Sequence, residues 1–231
     1  MPIIHDSEFG KITIRRSARA SQIRVSVAPD GNLRASLPLY APIFLVKRLL
    51  SASRDELRLM IRRSRAPASY ISGMLIGKSH TLVIRQTSGD GYKIWRYGQQ
   101  IVATLPEGRT LEEPEIEKTL REVIISALRI EAKSYLPKRL AFLAKKYDYS
   151  YQRVRFSHAS GRWGSCSTTG TISLNIALMK LPFELIDYVI IHELTHTKQM
   201  NHSHEFWALL GHADPEYKNH KRALKSESPS I

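Results

Sequence analysis

The chain has 231 residues, of which 42% are hydrophobic and 24% are charged, so it is long and apolar enough to bury a core. Its single cysteine, Cys166, excludes an intrachain disulfide and a metal site made of cysteines alone. No apolar run approaches the ~20 residues that a membrane-spanning helix requires, and the first residues lack the basic-then-apolar pattern of a signal peptide, so we expect a cytoplasmic protein without a membrane span.

The formal net charge is +14, and the excess is concentrated at the front of the chain. Residues 1–66 contain 13 basic and 5 acidic side chains. A positive field of this kind attracts polyanions, so nucleic acid or a nucleotide is a candidate partner for this part of the chain. The alternative is a basic surface that only keeps the protein soluble.

The front of the chain has the pattern of short strands with one helix. Five segments alternate hydrophobic with polar residues, as strands do: 12–15, 22–28, 33–37, 73–86 and 92–104. Pro29-Asp30-Gly31-Asn32 supplies turn chemistry before the third of them. Residues 42–65 show helical periodicity instead, and no glycine or proline interrupts them after Pro42.

The predicted helix at 42–65 carries a row of basic residues. Five of them recur at helical spacing: Lys47, Arg54, Arg58, Arg62 and Arg65. Such a stripe matches the successive phosphates of a nucleic acid backbone. The competing interpretation is the solvated face of an amphipathic helix, and the sequence leaves both open.

The second half of the chain is predicted to be mostly helical. A helix begins at Pro114 and runs to about residue 146, with a bend or break at Leu136-Pro137. The remaining segments follow in this order: a strand at 153–156, a loop at 160–167, a strand at 171–175, and helices over 183–199, over 205–210 and after residue 215.

This order of elements predicts an α+β fold with a boundary near residue 110. Residues 1–110 are expected to form a basic, strand-rich N-terminal lobe with one helix, and residues 111–231 a helical lobe. A single continuous domain is the alternative. The sequence shows no internal repeat.

The predicted helix over 183–199 carries His192-Glu193-Leu194-Thr195-His196, an H-E-x-x-H motif. Two histidines four residues apart project from one helix face and can share one ion, while the glutamate between them reaches a water rather than the ion. The helix is otherwise apolar, so buried imidazoles on it need partners, which a metal supplies. We therefore predict a Zn²⁺ site with His192 and His196 as ligands and Glu193 as general base, in a zincin-like lobe.

A catalytic zinc ion takes three protein ligands and leaves one position open. His202 lies six residues after His196, which is the spacing of the metzincin pattern, although Gln199 stands where that pattern has a glycine. Asn201 tolerates the left-handed backbone that would turn His202 back towards the helix. We expect His202 as the third ligand and keep two alternatives, His204 and Glu216.

Two further residues are candidates for substrate binding. Arg162 lies in a glycine-flanked loop before the metal helix, where a guanidinium can meet a carboxylate or a phosphate. Tyr188 precedes His192 by about one helical turn and shares its face, so it is placed to contact a ligand or a substrate, with packing as the alternative. The strand at 171–175 is expected to be an edge strand that receives an extended peptide by strand addition.

These features predict a zinc-dependent hydrolase that cleaves a peptide amide, with a peptide or protein as its substrate. The first alternative keeps the metal site but hydrolyses a nucleoside triphosphate, although the chain has no Walker-type glycine loop. The second alternative is a nucleic-acid-binding protein whose zinc is structural. Glu193 argues against it, because a structural site needs no general base.

Four sequence stretches resemble those of a known family. They are Arg162-Trp163-Gly164-Ser165-Cys166-Ser167, Ile172-Ser173-Leu174-Asn175, Asp187-Tyr188-Val189-Ile190-Ile191-His192-Glu193-Leu194-Thr195-His196, and Asn201-His202-Ser203-His204-Glu205-Phe206-Trp207. The chain resembles the YgjP-like metallopeptidase-domain proteins, which are grouped with the SprT-type and WLM-type zincins. The resemblance implies a zinc site of His192, His196 and His202, with Glu193 catalytic. Members are named peptidases from this motif, and a nucleotide pyrophosphatase activity has also been attached to some.

Overall fold

The chain forms two compact units, Met1–Ala68 and Ser69–Ile231. Both contain strands and helices, so the α+β class is confirmed. The computed structural model describes four ranges of the chain, with residues 62–65 described by their backbone alone: 2–18, 20–27, 32–65 and 70–231. The predicted turn at 29–32 lies, apart from Asn32, outside the described residues.

The first unit is a four-stranded sheet followed by two helices. Its elements are β1 (Ile3–Asp6), β2 (Gly10–Ser17), β3 (Arg24–Val27), β4 (Leu33–Pro38), α1 (Phe44–Ala52) and α2 (Arg54–Arg65). The strands lie in the order β1-β2-β4-β3, with β2 and β4 parallel and the other pairs antiparallel. Inward residues of β2, β4 and both helices form a small core: Ile12, Ile14, Leu33, Ala35, Leu37, Val46, Leu50 and Leu57.

The predicted helix at 42–65 is two helices in the structure. α1 ends before Ser53, where φ is −120° and ψ is 28°, and α2 begins at the next residue. Serine is a weak helix former because its side chain competes for backbone hydrogen bonds, so it is a favourable place for the interruption. The five basic residues of the predicted stripe therefore do not lie along one straight helix.

Two arginines of the predicted stripe have acidic partners within the first unit. Arg54 contacts Asp6 at 3.2 Å and Glu8 at 2.6 Å. Arg58 contacts Glu8 at 2.5 Å and Asp55 at 2.7 Å. These ion pairs neutralise positive charge that would otherwise be available to a phosphate. The structure does not describe the side chains of Arg62 and Arg65. Nucleic acid binding by this unit stays a prediction.

The second unit begins with another four-stranded sheet. Its strands are β5 (Leu75–Ile76), β6 (His80–Thr87), β7 (Lys93–Tyr97) and β8 (Gln100–Pro106), in the order β5-β6-β8-β7. The predicted strand at 92–104 is therefore a hairpin. Its turn contains Gly98 with a φ of 57°, a conformation that glycine adopts without strain.

The sheets of the two units have the same topology. In each, the first two strands pair antiparallel, the second and fourth pair parallel, and the third and fourth pair antiparallel. A helix follows each sheet. The sequence shows no matching repeat, because many different apolar residues satisfy the same alternating pattern in a strand.

The helix after the second sheet, α3 (Pro114–Lys146), packs against β7 and β8. It continues through Pro137, so the helix is not broken there, and a bend at this position stays a prediction. Leu136 and Leu140 on either side are fully buried, and their packing offsets the backbone hydrogen bond that proline removes. Because α3 shares one core with Leu82 and Ile101 of the preceding sheet, the chain divides at residue 68 rather than near residue 110.

The rest of the second unit holds a three-stranded sheet and three helices. Its elements are β9 (Arg153–Ser157), β10 (Gly164–Cys166), β11 (Thr171–Asn175), a 3-10 helix (Ile176–Lys180), α4 (Phe183–Thr195), α5 (His204–Ala213) and α6 (Tyr217–Leu224). Helix α4 packs against β10, α5 and α6. None of the described helices is both long and apolar enough to cross a membrane.

The order of this third sheet, β10-β11-β9, corrects two predictions. The predicted loop at 160–167 contains a short strand, β10. The strand at 171–175 is the middle strand, antiparallel to β10 and parallel to β9, so it is not an edge. A strand hydrogen-bonded on both sides has no backbone groups left for an added peptide, whereas β10 has one free side.

Candidate metal centre

Helix α4 is buried along most of its length. Pro182 precedes its first residue, and proline is common at helix starts because its fixed φ is compatible with them. Ile186, Ile190 and Leu194 are fully buried and fix the helix against the core. This packing holds its last turn, which carries the H-E-x-x-H motif, in a constant position.

The chain turns back on itself after α4. Thr197 and Gln199 close the turn by donating their backbone N–H groups to Leu194 and Thr195, each at 2.9 Å. The turn returns His202 to the helix, where its Nε2 lies 3.1 Å from Nε2 of His192. The return therefore forms without the glycine of the metzincin pattern.

Three histidines converge at this turn. His192, His196 and His202 each offer one ring nitrogen, and the three nitrogens lie within 4.8 Å of one another. Tetrahedral zinc with zinc–nitrogen bonds of ~2.0–2.1 Å holds its ligand nitrogens about 3.3 Å apart. The 3.1 Å between His192 and His202 is close to that separation. The donor set therefore fits a zinc ion, and no other such group of three occurs in the described part of the chain.

The outer nitrogens of two rings show how the site is held. Nδ1 of His196 lies 3.1 Å from the carbonyl oxygen of Gln199. A carbonyl only accepts, so Nδ1 donates and Nε2 keeps the lone pair that a metal needs. Nδ1 of His192 is buried with no hydrogen-bond partner among the described residues. An unpaired buried polar atom of this kind costs about 1–3 kcal/mol of stability, and a metal on Nε2 leaves that cost in place.

The electrostatic surroundings keep the rings of His192 and His202 neutral. Burial, together with the neighbouring His196, His202 and Lys221, lowers the pKa of His192 to about 3. Burial and the charges of His196 and Lys221 also lower the pKa of His202. Neutral imidazole is the form that binds metal, so no proton has to leave either ring at neutral pH.

Aromatic rings form the floor and one wall of the site. The fully buried Phe206 lies beneath all three histidines, with ring centroids 4.6 to 5.0 Å away. Trp207 stacks on His202 at 5.5 Å and donates its indole N–H to the His202 carbonyl at 3.1 Å. The rings restrict the rotamers of the histidines, which preorganises the cluster.

Glu193 lies beside the cluster and is 6% exposed. Burial raises its pKa to about 8, and the positive charge of Arg162 opposes that rise. The carboxylate packs against Gly164 of β10, where an added Cβ would lie 2.6 Å from Oε1 of Glu193. Only glycine leaves room for the carboxylate here. The motif Trp163-Gly164-Ser165 was therefore a signal for the site, although the sequence alone did not assign this glycine a role.

Replacing Gly164 by alanine is expected to displace Glu193 and lower catalysis at least ~10-fold, since a shift of about 1 Å in a catalytic group costs up to ~100-fold. Zinc content should not change, because the three histidines are not touched. Gly161→Ala is the matched control, since an added Cβ there meets nothing within 4 Å. Equal rates for the two variants would show that this contact does not position Glu193.

The loop before β10 is fixed by a buried asparagine. The side chain of Asn175 donates to the carbonyl oxygens of Ala159 and Arg162, at 2.6 and 2.9 Å. Its backbone N–H donates to Trp163 at 2.8 Å. Asn175 is fully buried, so these bonds are protected from water. They hold the backbone of Arg162 in place while its side chain stays exposed.

Tyr188 lies on the other side of His192. Its ring centroid is 6.0 Å from that of His192 and 6.2 Å from that of His220. His220 in turn contacts the buried Asp214 at 2.8 Å. Burial, with the charges of Asp214 and Glu193, raises the pKa of Tyr188 to about 12, so its hydroxyl keeps its proton. The Asp214–His220 pair was not singled out from the sequence.

The two alternative ligands lie outside the cluster. His204 is the exposed first residue of α5. Glu216 precedes α6 and accepts a hydrogen bond from Asn219 at 2.5 Å. Neither belongs to the group of converging ligand atoms.

The family described as YgjP-like, metallopeptidase domain, matches residues 21–227, which is most of the chain. The chain belongs to this family. The match covers part of the first unit, most of the second unit and every residue of the histidine cluster. Membership supports a metallopeptidase-type function. No curated protein matches the chain.

Two solved structures resemble part of the chain. The crystal structure of the metallopeptidase zymogen abylysin from Pyrococcus abyssi shares 28% identity over 39% of this chain and 92% of that one, with a TM-score of 0.36. The metallopeptidase zymogen jannalysin from Methanocaldococcus jannaschii shares 21% identity over 39% and 93%, with a TM-score of 0.35. Both similarities are partial, so the assignment rests on the family match.

Proposed function

We propose that the protein is a zinc metallopeptidase, with His192, His196 and His202 as the metal ligands and Glu193 as the general base. The observation that carries the proposal is the convergence of three ring nitrogens within 4.8 Å beside a buried glutamate. Three nitrogen ligands leave a fourth position of a tetrahedral ion open, as a catalytic site requires. Membership of a metallopeptidase-domain family supports the same reaction class.

A zinc ion held by these three histidines would act as a Lewis acid that polarises a carbonyl and lowers the pKa of water. Its charge would also lower the pKa of the buried Glu193, so that the ionised carboxylate accepts a proton from the attacking water and then passes it to the leaving amine. The protonated hydroxyl of Tyr188, one turn before His192, is available as a hydrogen-bond donor on the other side. Gly164 and the packing of α4 keep Glu193 in place for both proton transfers.

The free side of β10 is the best-placed binding surface for a peptide. Among the described strands, β10 pairs with β11 alone, and its Gly164 contacts Glu193. An extended peptide added along β10 gains main-chain hydrogen bonds and runs past the catalytic carboxylate. Strand addition is therefore proposed at β10 rather than at 171–175.

The two other hypotheses fit the site less well. A structural zinc normally has four protein ligands, whereas the described residues bring three together. A buried carboxylate beside the cluster also has no purpose in a structural site. Hydrolysis of a nucleoside triphosphate could use the same metal centre. A nucleotide, however, has no peptide backbone that could pair with the free edge of β10.

The test is zinc-dependent peptide hydrolysis by the full chain. Fluorogenic peptides of mixed sequence should be cleaved by the purified protein, not cleaved after treatment with a chelator, and cleaved again when zinc is returned. Nucleoside triphosphates are assayed in parallel. Hydrolysis of triphosphates without peptide cleavage would overturn the proposal.

A further inference from the structure

One cation, Lys221, makes a cation–π contact with an aromatic ring in the wall of the metal centre. Nζ of Lys221, on α6, lies 4.0 Å from the ring centroid of Trp207. Trp207 stacks on His202 on one side and on Tyr217 at 5.6 Å on the other. A cation over an indole face is attracted by the ring, and its N–H groups stay free to donate. Lys221 therefore lies beside the histidine cluster, and its positive charge has no acidic partner among the described residues.

A second cation lies beside the catalytic carboxylate. The backbone of Arg162 is fixed by Asn175, and two residues later Gly164 contacts Glu193. This places the backbone of Arg162 close to Glu193, and its exposed guanidinium is near enough to act electrostatically on that carboxylate. Lys221 lies instead on α6, over the Trp207 ring that stacks on His202.

Neither cation is neutralised within the described part of the chain. No acidic oxygen there lies within 4.0 Å of Arg162 or Lys221, in contrast to Arg54 and Arg139, which both have carboxylate partners. Of the acids near the two cations, Asp214 contacts His220, and Glu193 lies more than 4.0 Å from Arg162. Two exposed cations, one near Glu193 and one beside His202, favour anionic groups on the ligand.

We propose that the substrate is a peptide with acidic side chains on both sides of the cleaved bond, one carboxylate meeting Arg162 and the other Lys221. This inference rests on the proposed peptidase function and names its substrate class. An extended peptide along β10 presents side chains on either side of its cleaved bond, so two separated cations can each meet one carboxylate. The planar guanidinium of Arg162 suits a bidentate contact, and the Lys221 ammonium acts as a point charge.

The experiment measures kcat/KM of the zinc-loaded full chain on three peptides. They share one sequence and carry glutamate, glutamine or lysine on the two sides of the cleaved bond. Each carboxylate should raise kcat/KM about fivefold over glutamine, the upper range for an exposed ion pair. The preference should shrink in high salt, because exposed charges are screened. The lysine peptide should be the poorest substrate.

Substitutions then assign the preference to a residue. Lys221→Met keeps the apolar stem and should lower the preference for the glutamate peptide over the glutamine peptide about fivefold, whereas Lys221→Glu should lower it further. Arg222→Glu, at the next and also exposed position of α6, changes the net charge as much as Lys221→Glu and should keep the preference. Zinc content and circular dichroism confirm that each variant is folded.

The outcomes separate this inference from the proposed function. Cleavage of all three peptides at equal rates would overturn the inference and leave the peptidase in place. An acidic preference that persists in both Lys221 variants would remove Lys221 from the inference. Hydrolysis of nucleoside triphosphates with no cleavage of any peptide would overturn both.

Discussion

Replacing Glu193 by glutamine is expected to lower kcat at least ~100-fold while the protein keeps its zinc, because the amide has nearly the same shape but cannot accept a proton. Glu193 lies beside the histidine cluster without belonging to it, so its loss should not weaken metal binding. Steady-state hydrolysis and elemental analysis of the same preparation measure both quantities.

The control for this variant lies on the same helix. Glu184→Gln makes the identical chemical change in the exposed first turn of α4, far from the motif, and should retain the parental rate. Parental turnover by the Glu193 variant would exclude Glu193 as the general base. A loss of zinc from it would show that the carboxylate binds the metal instead.

Replacing His192 by alanine is expected to weaken zinc affinity by more than ~100-fold, since even residues that only support a ligand contribute 10- to 100-fold. The neutral state of the ring means that this loss should be the same from pH 6 to pH 8. Competition with a chromophoric chelator measures the affinity. His212→Ala, in an exposed position on α5, is the matched control and should bind zinc like the parent.

His204→Ala adds a second comparison, because His204 is the nearest alternative ligand in the sequence. It lies outside the cluster, so its removal should leave affinity unchanged. Full zinc occupancy in the His192 variant together with loss of zinc from the His204 variant would show that His204, and not His192, is a metal ligand.

The convergence of the three histidines was predictable because its information is local. His192 and His196 are one turn apart on a single helix, and helical geometry alone places both rings on one face. His202 follows six residues later, so only one short turn separates it from the helix. Where chemistry depends on residues this close in sequence, spacing is nearly equivalent to structure.

The support around the metal centre was not predictable, because it comes from distant parts of the sequence. Gly164 and Glu193 meet only because β10 packs on α4. Three residues in a loop-like sequence give no strand signal, so β10 was missed and the middle strand β11 was predicted as the edge. Asp214 and His220 are brought beside Tyr188 by α6, which no pattern in α4 indicates.

Contacts between residues far apart in sequence also explain why the first unit was only partly predicted. The spacing of Arg54 and Arg58 correctly indicated one helix face, but their partners Asp6 and Glu8 lie more than 40 residues away. A charge count cannot distinguish an arginine that is paired from one that is free. The shared topology of the two sheets was also hidden, since it resides in strand pairing and not in residue identity.

The most direct test of the central claim is to locate the metal in the native protein by anomalous scattering at the zinc edge. We predict one ion per chain, about 2.0–2.1 Å from a ring nitrogen of each of His192, His196 and His202, with Glu193 outside bonding distance. A zinc ion bound by His204 or Glu216 in place of His202, or one with a fourth protein ligand closing the open position, would contradict it.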